Sequence, residues 1–422
     1  MYNFFYNFIK TIFLSFFVFI CISNYCFIYA DDIDEENDEN INFDIEVSSN
    51  IGNNISSINS RSYVVLDRLT ETVLVNKNEN NKVKMASTTK IMTSIVVLEN
   101  AKLGDMVEIS KKAANTGGSR LGLHTGDKIS ILNLLYGLML CSGNDAAVAL
   151  AESVGGDINS FSDLMNKKAK ELGLNNSHFE SPHGLDSDEH YTTAYELALL
   201  TNYALQNKTF SDIVGTKNIT IDINGVPKSI HNTNELLGNL NGVYGVKTGF
   251  TNGANRCLVT ACKRGDLDII CVVLGADTKK FRTQDSIKLI EYTFNNYKYI
   301  NIEKIINDEF KNWQNENPNY LNIIKGITNN INLAVSNLKT PVIPIKKDSI
   351  NFIQTSIEIK KELHAPINKE NSIGNIKVTI NENELLNLDI ISSSNIERKN
   401  ILYYFYYFVT SQCDILENNI FE

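Results

Sequence analysis

Two apolar rhythms alternate along this chain. Residues 62–77, SYVVLDRLTETVLVNK, set two β-rich runs around a polar turn, the pattern of a β-hairpin. In KMASTTKIMTSIVVLENA (84–101) the spacing changes, and Ile91, Ile95 and Leu98 repeat at helical intervals. A helix starting at Ser87 is predicted, with Ser87 as its N-cap, its hydroxyl accepting an otherwise unpaired backbone N–H. ISILNLLYGLML (129–140) predicts a strongly apolar helix that stops at CSGN, and DAAVALAESV (145–154) begins another. Helical patterns follow at 158–172 and 191–206. GVYGVKTGFT (242–251) reads as a strand; NRCLVTACKR and DLDIICVVLGA are β-rich runs joined by a turn at Gly265, and a helix follows at 283–297. Strands, helices, strands and a helix in that order predict an α+β domain with an antiparallel sheet.

Past residue 298 the rhythm shortens. Four of the six prolines (Pro318, Pro341, Pro344, Pro366) lie there, among β-like runs such as SIEIKKEL and IGNIKVTI. A small β-rich second domain is expected. At the other end, Lys10, an apolar run from Thr11 to Ile22 and Ala30 before an acidic stretch have the layout of a secretory signal peptide, with an uncleaved anchor as the alternative. The expected organisation is a signal at 1–30, an acidic disordered spacer at 31–57, a catalytic domain at 58–298, the β-rich domain at 299–395 and an aromatic tail at 396–422. In that tail, nine apolar or aromatic residues (401–409) follow Arg398 and Lys399. Nine are too few to span a bilayer. The segment either lies in a membrane interface or packs as a terminal element on the second domain.

Charge changes the picture little. The net charge of -10 is mostly local, because residues 31–50 carry nine acids and no base, and the body is close to neutral. No basic face for nucleic acid is expected. Of seven cysteines, five remain once Cys21 and Cys26 leave with the signal, and Cys141, Cys257, Cys262, Cys271 and Cys413 lack CxxC spacing. This argues against a disulfide framework and a zinc site. A single cross-strand disulfide among Cys257, Cys262 and Cys271 stays open. The histidines form no HExxH cluster, so neither a metal nor a cofactor is expected.

Candidate chemistry starts at Ser87 and Lys90. Serine at neutral pH is a poor nucleophile and needs a base beside it. Residues three apart on a helix share a face, so Lys90 can reach the Ser87 hydroxyl. A lysine serves as base only when part of it is neutral, which calls for burial or a nearby cation. SxxK recurs at Ser336–Lys339, so the pair alone decides nothing. Ser142-Gly143-Asn144 sits between two apolar helices, and Lys247-Thr248-Gly249 sits on a glycine-flanked strand. Alone, the first reads equally well as a helix-to-helix turn, and the second reads as an exposed strand lysine. Their order along the chain, each on a suitable element, decides for Ser87, and Ser336 follows the third motif with no such partners.

This ordered set of SxxK, SxN and KTG occurs in penicillin-binding proteins and class A β-lactamases. With SPHGLD…HYTTAYELA (181–197), HNTNELL (231–237), GVYGVKTGFTNGANRCLVTACKR (242–264) and API…IGNIKV (365–378), the chain resembles the low-molecular-mass penicillin-binding proteins, serine-type D-alanyl-D-alanine carboxypeptidases. The middle motif reads SGN, where class A β-lactamases usually have SDN. The resemblance implies a serine β-lactamase/transpeptidase-like domain followed by a small all-β domain. It implies a peptidoglycan stem peptide ending in D-Ala-D-Ala as substrate, and β-lactams as acylating inhibitors. Ser87 would be the nucleophile, Lys90 its base and Ser142 the proton relay. Asn144 would hold the substrate amide, while Lys247, Thr248 and Gly249 would receive the terminal carboxylate. Lys247 would also be the second cation near Lys90. The backbone N–H groups of Ser87 and Phe250 would form the oxyanion hole. A β-lactamase, an endopeptidase or transpeptidase, and an idle cell-wall binding protein are the alternatives. The protein is expected to be exported, at the cell wall or the outer face of the cytoplasmic membrane.

Overall fold

The computed structural model describes residue 55 and residues 57–420, the last ten by backbone alone. The expected signal and most of the acidic spacer lie outside the described residues. Contacts divide the chain into two units that part at Asn295–Asn296.

The first unit is built on a five-stranded antiparallel sheet. Its strands are β1 (Ser62–Asp67), β2 (Val73–Lys77), β3 (Val243–Thr251), β4 (Asn255–Arg264) and β5 (Leu267–Ala276), in the spatial order β2-β1-β5-β4-β3. The hairpin and the paired runs read from the sequence are therefore present. β5 is central and buried along nearly all its length, as its unbroken apolar run requires. β3 forms the edge. Cys271 stands opposite Val65 and Thr260, Cys262 opposite Ile269, and Cys257 opposite Gly249. No two of these cysteines are paired across strands, and all three thiols are free.

The helices bury a second layer. α1 (Lys90–Asn100), α2 (Ile131–Leu140) and α3 (Asn144–Gly155) contribute Ile91, Ile95, Leu134, Leu138 and the run Ala146–Ala151 to one core. α3 is buried all round through its first two turns, and its alanines allow neighbouring helices to approach closely. α4 (Ile158–Glu171) and α5 (Ala194–Ala204) start at side-chain caps: Asp157 accepts from the Ser160 N–H and Thr193 from the Glu196 N–H. α6 (Lys279–Asn296) is tied to the rest by Asp285, which accepts from the Ser60 N–H and hydroxyl.

The second unit is β-rich, with one feature the short β-like pattern did not anticipate. It opens with a strand and then α7 (Ile302–Glu316), whose Ile302, Ile306 and Phe310 sit in the unit's core. A four-stranded antiparallel sheet follows, made of β6 (Leu333–Val335), β7 (Ile353–Ile359), β8 (Ser372–Ile380) and β9 (Asn383–Ser392), in the order β6-β9-β8-β7. A register shift between Ser372 and Gly374 interrupts the β8/β9 ladder near the start of β8. Ile373, Ile376 and Val378 are nonetheless all buried. α8 (Ile401–Ile420) ends the described chain, and its residues 401–409 stay exposed. Among the described residues no helix is long and apolar enough to cross a membrane.

Candidate active site

Ser87 does not cap a helix. It lies in a 3-10 turn, Ala86–Thr89, and α1 begins only at Lys90; the residues preceding these elements, Met85 and Thr89, make no side-chain capping bond. Ala86 takes left-handed backbone (φ 48°) and turns the chain before the serine. Thr88 and Thr89 hydroxyls donate back to the Met85 and Ala86 carbonyls at 2.6 and 2.8 Å, which closes the turn. The Ser87 hydroxyl is therefore available to Lys90, whose Nζ lies 2.6 Å from it.

Lys90 is fully buried, and its Nζ also reaches Asn144 Oδ1 at 2.7 Å and the His183 carbonyl at 2.9 Å. Both carbonyl oxygens can only accept. A neutral amine would give its two hydrogens to them and keep its lone pair for the Ser87 hydroxyl. Asn144 is buried too, and its Nδ2 donates to the Gly117 carbonyl at 2.9 Å. The side chain expected to hold a substrate amide thus also bridges Lys90 and the 117–123 loop.

That loop is shaped by Asp145. Its buried carboxylate accepts from the backbone N–H groups of Leu121, Gly122 and Leu123 at 2.7–3.0 Å. Ser142 sits beside it in left-handed backbone (φ 59°), a rare conformation for serine. A Cβ on Gly143 would fall 2.9 Å from Asp145 Oδ1 and 3.0 Å from the Leu121 nitrogen, so only glycine fits between the two polar residues. Burial and the Asp145 carboxylate push the neighbouring Cys141 thiol up to about 11, with Lys247 pulling the other way. Cys141 is a neutral thiol, and it leaves nucleophilic chemistry to the hydroxyls.

β3 closes the site from the sheet side. Lys247 is buried there and donates to the Thr248 carbonyl at 2.9 Å. A Cβ on Gly249 would lie 3.1 Å from the Ser87 nitrogen and 3.2 Å from that of Thr88, so the strand runs against the serine turn. The ring of Phe250, one residue on, is covered by the Arg256 guanidinium at 3.6 Å. The Thr248 hydroxyl shares a hydrogen bond of 2.7 Å with that of Thr233.

Thr233, Asp145, His183 and His190 were not expected in the site. Thr233 is presented by a rigid turn: Asn232 Oδ1 accepts from the Asn234 N–H, and the Thr233 N–H donates to the Leu140 carbonyl. His190 Nδ1 accepts from the Glu180 N–H, which leaves Nε2–H facing the Thr89 hydroxyl at 2.8 Å. Burial above all pushes His190 down to about 4; burial and then the Lys90 cation push His183 down to about 3. Both rings are neutral at ordinary pH. Gly184 has φ +89°, and a Cβ there would lie 2.0 Å from the Ala86 carbonyl oxygen.

Residues 49–278 match the D-alanyl-D-alanine carboxypeptidase family model (peptidase S11), and residues 313–398 match the penicillin-binding protein 5 C-terminal domain. The D-alanyl-D-alanine carboxypeptidase DacF of Bacillus subtilis is 34% identical over 75% of this chain and 80% of its own length. DacC of Escherichia coli, another D-alanyl-D-alanine carboxypeptidase, is 33% identical over 81% of this chain and 85% of its own. The crystal structure of DacD from Francisella tularensis, also a D-alanyl-D-alanine carboxypeptidase, superposes with a TM-score of 0.68 at 28% identity, covering 81% of this chain and 95% of the other. With the first match alone spanning more than half of its length, the chain belongs to the D-alanyl-D-alanine carboxypeptidase family of serine peptidases.

Proposed function

We propose that Ser87 is the nucleophile with which this serine-type carboxypeptidase removes the terminal D-Ala from peptidoglycan stem peptides. The observation that carries this reading is the buried Lys90 Nζ, 2.6 Å from the Ser87 hydroxyl and held from behind by two carbonyl oxygens. Ser87 Oγ attacks the carbonyl of the penultimate D-Ala while the Lys90 lone pair takes its proton. The oxyanion is received by the backbone N–H groups of Ser87 and Phe250, a reading supported by the close approach of Gly249, the neighbour of Phe250, to the Ser87 nitrogen. Collapse breaks the C–N bond, and Ser142 relays the proton to the leaving D-Ala nitrogen. Water then attacks the ester, and Lys90 takes the water's proton and returns one to Ser87. Lys247 and Thr248 hold the terminal carboxylate, Thr248 oriented by Thr233. Asn144 acts mainly by fixing Lys90. β-Lactams, which mimic the D-Ala-D-Ala carbonyl, acylate the same serine.

The division of the chain near residue 298 is supported by the parting of contacts at Asn295–Asn296 and by separate family matches on either side. Residues 58–298 then carry the catalysis and 299–395 form the β-rich domain. With residues 1–30 as an export signal, the enzyme works outside the cytoplasmic membrane. The tail at 396–422 rests on the membrane surface, a reading supported by the exposed aromatic residues of α8 and by Lys399 beside Tyr403.

The test is incubation with a fluorescent penicillin followed by peptide mapping. The expected result is one label, on the peptide containing Ser87. A folded chain that takes no label there overturns the mechanism.

A further inference from the structure

Among the described residues, a cleft of about 380 Å³ opens in the second unit between the end of α7 and the segment leading into β6. This volume is in the range of small-ligand sites. Trp313, Gln314 and Asn317 line one wall, and Asn329, Asn330 and Asn332 the other. None of the residues lining it is charged, so it has no counter-charge for a phosphate, a carboxylate or a cation.

Each primary amide offers donors and an acceptor together. Hydroxyl and acetamido groups make the same dual demand. Trp313 is half-buried and held between two rings. It stacks nearly parallel to Phe310 (centroids 6.3 Å apart, 4° between planes) and meets Tyr320 edge-on at 5.3 Å. The walls are pinned by backbone contacts: Asn317 Nδ2 donates to the Trp313 carbonyl at 2.9 Å, and the Asn332 carbonyl accepts from the Ser393 N–H and hydroxyl. A fixed indole gives the C–H face of a pyranose ring a flat apolar surface, while the amides meet its polar edge.

We propose that this cleft is a saccharide subsite for neutral, N-acetylated sugar units, and that its physiological ligand is the glycan strand carrying the stem peptides. The identity of that ligand rests on the stem-peptide reading above; the chemistry of the cleft does not. A second contact of this kind raises the effective concentration of stems attached to polymer, without altering the Ser–Lys chemistry.

Trp313 is the chain's only tryptophan, so its fluorescence reports on this cleft alone. The experiment titrates the full-length protein with chitotetraose, a neutral β-1,4-linked N-acetylglucosamine oligomer, and follows that emission. A saturable change is expected, with a clearly weaker response to maltotetraose, which lacks acetamido groups. Asn330→Ala keeps the reporter and should weaken binding about tenfold, the loss of one or two hydrogen bonds to a neutral ligand. D-Ala release from a soluble pentapeptide should be unchanged in that variant. A wild-type protein that releases D-Ala but gives no saturable change overturns the subsite and leaves the catalytic reading intact. Equal response to both sugars overturns the acetamido specificity. Saturable binding by a chain that neither releases D-Ala nor accepts penicillin supports the cleft and overturns the catalytic reading.

Discussion

At the scale of single residues, the site is a buried lysine that, once neutral, can take a proton from the Ser87 hydroxyl beside it. Two acceptor-only carbonyls, from Asn144 and His183, face Lys90 Nζ together with the Ser87 hydroxyl. Lys90→Met should therefore slow penicillin acylation by about 10²–10⁴-fold, the usual contribution of a general base. Stopped-flow acylation checks this, with circular dichroism to show that the variant is folded; a wild-type rate would remove Lys90 as base. Thr233→Val deletes the hydroxyl that orients Thr248. It should lower kcat/KM for D-Ala release about fivefold, the worth of one net hydrogen bond, and acylation kinetics with a soluble substrate measure it. Ser87, Lys90 and the SGN and KTG triplets could be read because side-chain chemistry and order mark them. His183 could not, since it contributes a backbone carbonyl, and no residue type announces that. Asn144 could be read as a polar group of the site, but its contacts with Lys90 and Gly117 could not, because both partners lie far off in sequence.

At the scale of elements, what matters is how the serine turn is held in place. Ala86 is left-handed, and its carbonyl accepts from Thr89, which is braced in turn by His190. Gly184 lies so close that a methyl group would strike that carbonyl. Gly184→Ala should cost about 1–3 kcal/mol, the scale of a strained backbone, and slow acylation; a urea midpoint equal to wild type would contradict the packing described. His183 and His190 tie this region to pH. Both are neutral in the folded chain down to about 3 and about 4, whereas an unfolded histidine takes its proton near 6.5. Below about 6.5 the unfolded state binds more protons, so stability falls with falling pH until the folded values are reached. His190→Gln supplies an acceptor and a donor without titrating. Between pH 7 and pH 4.5 it should lose about 2 kcal/mol less stability than wild type, as read from urea unfolding at the two pH values. The strands and most helices were legible from apolar period. The 3-10 turn was not, because a serine followed by a helical period looks like a cap until the left-handed residue before it is seen.

At the scale of the whole molecule, the chain forms two units with separate cores. The β-like runs of the second unit were visible in the sequence; α7 was missed although Ile302, Ile306, Phe310 and Trp313 recur at helical spacing, because the β-like runs that follow it set the reading of the whole region. The proposed membrane contact of the tail rests on the exposed aromatic residues of α8. A chain lacking residues 396–422 should stay in the supernatant with lipid vesicles under conditions where the intact chain sediments, and equal sedimentation would sink that assignment. The account as a whole depends on Ser87 being the group that opens the D-Ala-D-Ala bond. The most direct measurement is D-Ala release from a stem pentapeptide by the wild-type chain and by Ser87→Ala. The account predicts one D-Ala released per peptide by the wild type and none by the variant; release by Ser87→Ala at the wild-type rate, or none by either, would contradict it.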